Sequence, residues 1–469
     1  MRAAALSVAV GLVLADGSIV VLALPQIYRE LDVSVSAVVW VLISFNLVLA
    51  AVAVPAALAS RALGPARLTC GGLVFFAAAS LACGLSDDIA ILIGARCLQA
   101  LGGAAAVCGA LELLPASVGS ERSAAARWAM AGAAGAALGP GLGGLLTELV
   151  SWQSIFLFQV PVAVALALPL LGAAGGERSG ARVREEMRTG GSNVRASPHH
   201  QSLWSGLRAH RPHLAANVAL GLVAAALAAA LFLLVLLLIE GWRLSPIAAA
   251  AAVSVMPLAA LLSSPLARQV SSVPARAASG AILITGGLAG LGLLPDATVA
   301  LTFPSQILVG VGLALTLTAL TEAALAGRAP QAIHGGWTIA ARHAGVVLGL
   351  LLLTPVFTAD LREQRRDAID AGTAVLLDSR VEPLRKVELA ERITNRLEDE
   401  RGRVPVIGPA FEPLPDDPEE REAVLGLEAD LQDQLDRAAT RAFSASFLLA
   451  AGFALAALLT IGLARRVEL

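Results

Sequence analysis

Twelve long apolar segments, separated by short polar connections, dominate this sequence of 469 residues. Hydrophobic residues make up 57% of the chain and charged residues only 15%, whereas a soluble protein carries about 25% charge. Since a helix of about 20 apolar residues crosses a bilayer, we predict an all-α membrane protein rather than several soluble domains. The predicted spans are residues 4–25, 37–60, 67–86, 89–115, 124–148, 153–174, 214–239, 246–266, 277–294, 297–325, 332–357 and 442–464.

The longer polar stretches divide the chain into two six-helix bundles. We predict a first bundle over 1–174, a cytoplasmic linker over 175–213, a second bundle over 214–357 and 442–469, and an insertion over 358–441 between spans eleven and twelve. Arg2 precedes an apolar stretch that is too long for a signal peptide, so we expect a retained first span.

Outside the insertion over 358–441, basic residues fall almost entirely on one side of the predicted membrane. The short outer connections hold only Arg29 and Arg243. Under the positive-inside rule, this bias predicts a multi-pass protein of the cell (plasma or inner) membrane with both termini in the cytoplasm. The basic residues assigned to the inner side are Arg61, Arg67, Arg122, Arg127, Arg178, Arg182, Arg184, Arg188, Arg195, Arg208, Arg211, Arg268, Arg276, Arg328, Arg465 and Arg466.

The insertion over 358–441 is strongly acidic, with 21 acidic and 13 basic residues. Apolar residues recur at helical spacing over 384–397 and 424–435, on either side of a proline-rich stretch at 404–418. We predict an extracytoplasmic pair of amphipathic helices, because apolar stripes need a covering partner; a solvated loop is the alternative. The segment is also a candidate docking site for a protein outside the membrane.

Several chemistries are excluded. The chain has a single lysine, Lys386, which follows Arg385, so it has no GxxxxGK phosphate loop and cannot drive transport with ATP by itself. Its four cysteines lie in apolar runs without CxxC spacing, so we expect no metal site and no disulfide framework. The near balance of 34 basic and 36 acidic residues gives no sign of nucleic-acid binding. We expect that the protein binds no cofactor and is not an enzyme.

Ionisable side chains inside the spans are the strongest functional candidates, because each is costly in hydrocarbon. Asp16 lies roughly 15 Å and Arg96 roughly 10 Å from the outer ends of spans one and four. Gln99 lies one turn from Arg96, so the three side chains can meet. A carboxylate whose distance to its partner changes between two conformations is a proton switch; the alternative is a permanent clamp within the first bundle.

Other charged residues occupy less telling positions. The carboxylates near span ends, where they can reach the interface, are Glu112, Glu148, Glu240 and Glu322. Arg342 and His343 lie deeper, in span eleven, and are candidate gating residues.

In span five Gly135, Gly139 and Gly143 form one smooth helix face; Pro140 and Gly144 complete this glycine-rich run.

Four stretches carry recognisable motifs: Asp16 to Pro25 in span one, Arg96 to Gly102 in span four, Gly135 to Gly144 in span five and Trp152 to Pro161 in span six. They resemble motifs of the major facilitator superfamily, and within it the drug:proton antiporters that usually have fourteen spans. The resemblance implies proton coupling through Asp16, Arg96 and Gln99, and a moving interface on the span-five glycines. It also implies substrate bound between the two bundles.

Two departures from the family pattern stand out. The loop after span two, which includes Arg61 and Gly64, has Ser60 where the family has an acidic gate residue. The chain also has twelve predicted spans instead of fourteen.

The resulting functional expectation is a secondary transporter that exports a hydrophobic or amphipathic molecule, drug-like or lipid-like, in exchange for protons. Its expected partners are this substrate, protons and membrane lipids. Two alternatives remain open. One is a lipid or glycolipid exporter that uses the insertion to guide its cargo; the other is a non-transporting receptor or assembly protein in which the insertion is the active part.

Overall fold

Helices dominate the fold in the part of the chain that the computed structural model describes. This part is residues 2–172, 212–267, 269–270, 272–325, 327–328, 330–379, 381–399 and 407–467. Apart from Pro212 and His213, the predicted linker 175–213 lies outside the described residues. The first six helices are α1 (Arg2–Glu30), α2 (Trp40–Leu63), α3 (Pro65–Gly84), α4 (Ile89–Val118), α5 (Glu121–Leu149) and α6 (Ser154–Gly172).

Five further helices precede the insertion or lead into it. They are α7 (Leu214–Leu236, continued by a π-helical turn Leu237–Gly241), α8 (Pro246–Val253 and Val255–Ala267), α9 (Val273–Gly292), α10 (Val299–Leu325) and α11 (Gln331–Asp378). The remaining helices are α12 (Pro383–Asp399), α13 (Pro418–Ala442) and α14 (Ser444–Val467).

Within the described residues, eleven helical stretches are long and apolar enough to cross a membrane. They contain eleven of the twelve predicted spans, and the chain is therefore a multi-pass membrane protein. The exception is α9, which is as long as α3, at 20 residues, but carries Arg276 in its first turn. It packs against α10 and α14, so it occupies a place in the bundle although its hydropathy alone does not identify it.

The two halves of the fold repeat one set of helix pairings. In the first half α1 packs on α5, α3 on α4 and α2 on α4; six helices later α7 packs on α11, α9 on α10 and α8 on α10. Internal repeats of this kind are typical of secondary transporters, in which the substrate lies between the repeats. The fold thus confirms the predicted two-bundle class with twelve membrane helices.

Contacts between the halves run along two seams. In the first seam α2 packs against α11, and in the second α5 packs against α8. Gly336 of α11 approaches the backbone of Ala53 in α2, and Gly144 of α5 approaches Pro246 and Ala250 in α8. A central interface between the two bundles therefore exists, and close contacts at glycines contribute to it.

The insertion differs from the predicted two-helix pair. Helix α11 does not end near Thr358 but runs unbroken over 48 residues to Asp378, and α13 packs on this extension. A separate apolar core is formed by residues of α11, α12, α13 and a short 3-10 turn (Gly408–Phe411). Three helices therefore bury apolar side chains in this core, whereas two were expected. The buried residues of this core are Leu376, Val381, Leu389, Ile407, Ala410, Phe411, Val424, Leu427 and Leu431.

Phe411 provides a test of this separate core, because its side chain is only 1% exposed. Phe411→Ala should destabilise the insertion by about 3–5 kcal/mol, the usual cost of removing a buried aromatic ring. Limited proteolysis of the solubilised protein should then cleave within 384–435 faster than in the wild type. Leu384→Ala is the matched control, since Leu384 is 85% exposed; equal cleavage of both variants would contradict the packed core.

Candidate functional site

A fully buried ion pair lies at the centre of the first bundle. Arg96 Nη1 of α4 donates to Asp16 Oδ2 of α1 at 2.5 Å, and both side chains have 0% exposure. The predicted meeting of these two residues is thus present. A carboxylate and a guanidinium in this setting stabilise one another, while removal of one would leave the other as an uncompensated buried charge.

Two glutamines complete the coordination of the pair. Gln99 Oε1 accepts from Arg96 Nη1 at 2.5 Å, and Gln159 Nε2 of α6 donates to Asp16 Oδ1 at 2.9 Å. Gln99 Nε2 in turn donates to Gln159 Oε1 at 3.2 Å and to Ser80 Oγ of α3 at 2.8 Å. The network therefore joins α1, α3, α4 and α6, and each of its side chains is buried.

The guanidinium of Arg96 is also held from the side of α2. Its Nε donates to the carbonyl of Val41 at 3.1 Å. Its Cζ lies 4.2 Å from the ring centroid of Phe45 and 5.6 Å from that of Phe156, within the range of cation–π attraction. Arg96 Nη2 is buried without a hydrogen-bond partner. This nitrogen can therefore donate to a new acceptor if the helices rearrange.

The glycine face of α5 packs directly on α1. A Cβ atom at Gly135 would collide with the backbone of Gly11, one at Gly139 with Ser18, and one at Gly143 with the backbone of Ile19. Gly144 faces α8 instead. The run that includes Pro140 thus lies between the helix that carries Asp16 and a helix of the other bundle.

At the predicted inner end of the bundle, Ser60 contacts a carboxylate. Ser60 Oγ donates to Glu112 Oε2 of α4 at 2.6 Å, and Ser60 is fully buried. A carboxylate of α4 therefore lies beside the position at which the family pattern has an acid. Gly64 joins α2 to α3 at φ 92°, a conformation that favours glycine. The side chain of Arg61 lies outside the described part.

Side-chain contacts among the described residues join the two bundles at the predicted outer end. Arg29 at the end of α1 forms an ion pair with Glu240 in the π-helical turn after α7. Glu148 Oε2 of α5 accepts from the backbone N–H of Ile247, in the first turn of α8, at 2.7 Å. Glu148 and Glu240 were expected only to reach the interface, but both tie the two bundles together. Trp152 Nε1 donates to Glu30 at 2.8 Å within the first bundle.

Midway along the α2–α11 seam, His343 contacts the first bundle. Its Nδ1 lies 2.6 Å from Oδ1 of Asn46, and Asn46 Nδ2 donates to the carbonyl of Leu42. Arg342, the other predicted gating residue, is half-buried and no carboxylate lies within ion-pair distance of it in the described ranges.

The described residues hold no group of three or more His, Cys, Asp or Glu side chains that could bind a metal ion. All four cysteines are free thiols.

Comparison with known proteins adds to this geometry. Residues 6–354 match the family model described as Major Facilitator Superfamily. The chain belongs to this superfamily. The predicted membership of this superfamily is thereby confirmed, and membership of a transporter family agrees with the expectation that the chain is not an enzyme. The match ends before the insertion over 358–441.

Curated relatives align with only part of the chain. It is 35% identical over 153 residues to the methylenomycin A resistance protein of Bacillus subtilis, covering 32% of this chain and 33% of the relative. It is 36% identical over 159 residues to the multidrug resistance protein Stp of Mycobacterium tuberculosis, covering 33% and 30%. The tetracenomycin C resistance and export protein of Streptomyces glaucescens is 35% identical over 164 residues, covering 34% and 30%. The chain thus spans about a third of the length of these relatives.

A solved structure supports the fold over nearly the whole chain. The crystal structure of a bacterial homologue of the human lysosomal transporter Spinster, in an inward-facing and unoccupied conformation, has a TM-score of 0.59 at 14% identity. The similarity covers 98% of this chain and 97% of that one.

Sequence reasoning missed two members of the polar network, Gln159 and Ser80, and the separate contact of Glu112 with Ser60. Gln159 and Ser80 were not assigned a site role because uncharged polar residues are common in membrane helices. Glu112 was placed at the interface because its contact with Ser60 depends on how α2 and α4 pack. The only available signal was Gln159, the amide in the span-six stretch that resembles the family motif.

Arg96→Lys tests the geometry of the network. A lysine keeps the charge, but its single ammonium cannot replace the fork that contacts Asp16, Gln99 and Val41 together. Each lost hydrogen bond to a charged group costs about 1.5–3 kcal/mol, so the melting temperature in detergent should fall. Arg392→Lys, at an exposed pair with Glu388, should leave it unchanged. Equal melting of the two variants would mean that the fork is not engaged.

Proposed function

We propose that this protein is a secondary active transporter that exports hydrophobic or amphipathic small molecules in exchange for protons, by alternating access. The observation that carries the proposal is the buried network of Asp16, Arg96, Gln99 and Gln159. Membership of a transporter superfamily and the resistance and export proteins among its relatives support this class of activity.

Asp16 is the proton-carrying group in this proposal. Protonation removes its negative charge and thus the attraction to Arg96, whose guanidinium then shifts toward its other partners, Gln99 and the carbonyl of Val41. Because Asp16, Arg96 and Val41 lie on α1, α4 and α2, the change alters the packing of three helices at once. Two charge states of one carboxyl group therefore favour two arrangements of the first bundle.

The coupling between proton and substrate passes through helix interfaces. Helix α1 lies on the glycine face of α5, and α5 contacts α8 of the other bundle through Gly144. A shift of α1 is thus transmitted to the outer links Arg29–Glu240 and Glu148–Ile247. Breaking these links opens the predicted outer side, while Ser60–Glu112 lies at the predicted inner side.

The direction of export depends on the orientation of the chain. We propose insertion in the cell membrane with both termini in the cytoplasm, as the distribution of arginines indicates. The insertion over 358–441 then lies outside the cell. Cysteine labelling in intact cells, at positions 119 and 296, would report opposite sides.

Asp16→Asn should abolish transport that is driven by a pH gradient and preserve the fold, because the amide keeps the shape and hydrogen-bonding capacity but cannot titrate. The measurement is uptake of a lipophilic dye into proteoliposomes under an imposed pH gradient. Exchange of the dye at equal pH on both sides should persist, since it does not require the proton. Normal gradient-driven uptake by Asp16→Asn would contradict the assignment.

A lipid or glycolipid exporter is the second candidate, and one observation favours it. Next to the packed core of the insertion, Leu377, Leu384 and Val387 are 69%, 85% and 68% exposed. Exposed apolar side chains on the extension of α11 and on α12 suit a cargo that must not be released into water.

Replacing 362–437 by a short flexible linker tests this role. The shortened protein should still insert its spans, since the membrane helices pack mainly on one another. Release of a fluorescent phospholipid from proteoliposomes should fall more than release of a small soluble cation. If both substrates are exported as by the full chain, the insertion takes no part in transport.

A further inference from the structure

Arg342 is a charge that the proposed proton pathway does not use. It lies eleven residues after the first residue of α11, about 16 Å along the helix, which is near the middle of a hydrocarbon core about 30 Å thick. A cation at this depth is costly unless water, an anion or a carboxylate compensates it.

The register of α11 shows where Arg342 points. Seven residues separate Arg342 from both Gly335 and Gly349, and residues seven apart share one helix face. Gly335 faces Leu111 of α4 in the first bundle, and Gly349 faces the backbone of Ala225 in α7 of the second. Arg342 therefore points toward the space where α4, α7 and α11 meet.

The opposite face of α11 is turned outward. Leu351, nine residues after Arg342 and so two and a half turns along the helix, is 44% exposed. Arg342 itself is only half-buried. Its exposed part thus opens into the interior between the bundles and not toward lipid.

Among the described residues, no neighbouring charge compensates the positive charge of Arg342. Within the described spans and away from their ends, the charged side chains are Asp16, Arg96 and Arg342, and the first two neutralise each other. No hydrogen bond or ion pair engages the guanidinium of Arg342 among the described residues, while its neighbour His343 is already bonded to Asn46. The interior between the bundles therefore has one uncompensated positive charge.

We propose that Arg342 binds the acidic group of the substrate, so that the molecules this protein prefers are amphiphiles with a single oxyanion. This assignment rests on the proposed function and narrows its substrate class. The planar guanidinium offers paired donors that match a carboxylate or phosphate, and the aliphatic surroundings accommodate the apolar remainder. Dications are disfavoured, because they would meet an unpaired positive charge in a poorly solvated space.

Binding of two matched probes tests the assignment without any transport. The full chain in lipid nanodiscs is titrated calorimetrically at pH 8 with 8-phenyloctanoate and with 8-phenyloctanol, and the heats of empty nanodiscs are subtracted. A charge-assisted hydrogen bond predicts that the wild type binds the acid at least about tenfold more tightly than the alcohol. Arg342→Gln should bind the two probes equally, and the surface control Arg437→Gln should keep the wild-type ratio.

Three outcomes would overturn the assignment. One is a wild type that does not distinguish the acid from the alcohol. The second is an Arg342→Gln variant that loses affinity for the alcohol as strongly as for the acid, which would show a packing or gating role. If Arg342→Gln does not fold, Arg342→Lys decides: it should retain a preference for the acid, and a folded Arg342→Lys protein without any preference is the third contradicting result.

The same probes separate this inference from the proposed export function. Asp16→Asn should retain the wild-type preference for the acid in binding while it loses gradient-driven transport. Failure of proton-driven export with the preference intact would leave Arg342 as a ligand-binding residue. If the protein exports with protons but binds the acid and the alcohol equally, only the assignment of Arg342 to the substrate site is contradicted.

Discussion

A carboxylate and a guanidinium, both without exposure to solvent, constrain the whole first bundle. In hydrocarbon neither charge is tolerable alone, so α1 and α4 must stay close enough for Asp16 and Arg96 to meet. The remaining lone pairs and protons need partners too, and these come from Gln99, Gln159 and the carbonyl of Val41. Four neighbouring helices are thereby fixed around one pair, and changing the charge of either member changes the contacts of all of them.

The sequence alone predicted much of the fold, because the apolar period and length of a membrane helix are local properties. The pairing of Asp16, Arg96 and Gln99 was also predictable, since their depth in the spans follows from counting residues. Their uncharged partners were not, because nothing local distinguishes Gln159 from any other amide in a membrane helix. The same holds for Glu112, whose role depends on the neighbouring Ser60.

In the insertion, the sequence predicted helices but not the partners on which they pack. Apolar stripes over 384–397 and 424–435 correctly indicated helices that bury one face, but a stripe does not identify its partner. The polar residues after Thr358 suggested the end of a helix, yet helical hydrogen bonds are formed within the backbone and continue through polar sequence. As a result α11 extends to Asp378 and provides the surface on which α13 packs.

The unbroken length of α11 has a mechanical consequence. From Phe357, whose ring lies 4.5 Å from that of Phe443 at the start of the last span, the helix continues for about 32 Å at 1.5 Å per residue to Asp378. A rigid-body rotation of roughly 15°, comparable to that of subunits in allosteric proteins, would displace its far end by about 8 Å. A helix of this length would thus act as a lever: a small rotation at its membrane part would become a large displacement of the surface on which α13 packs.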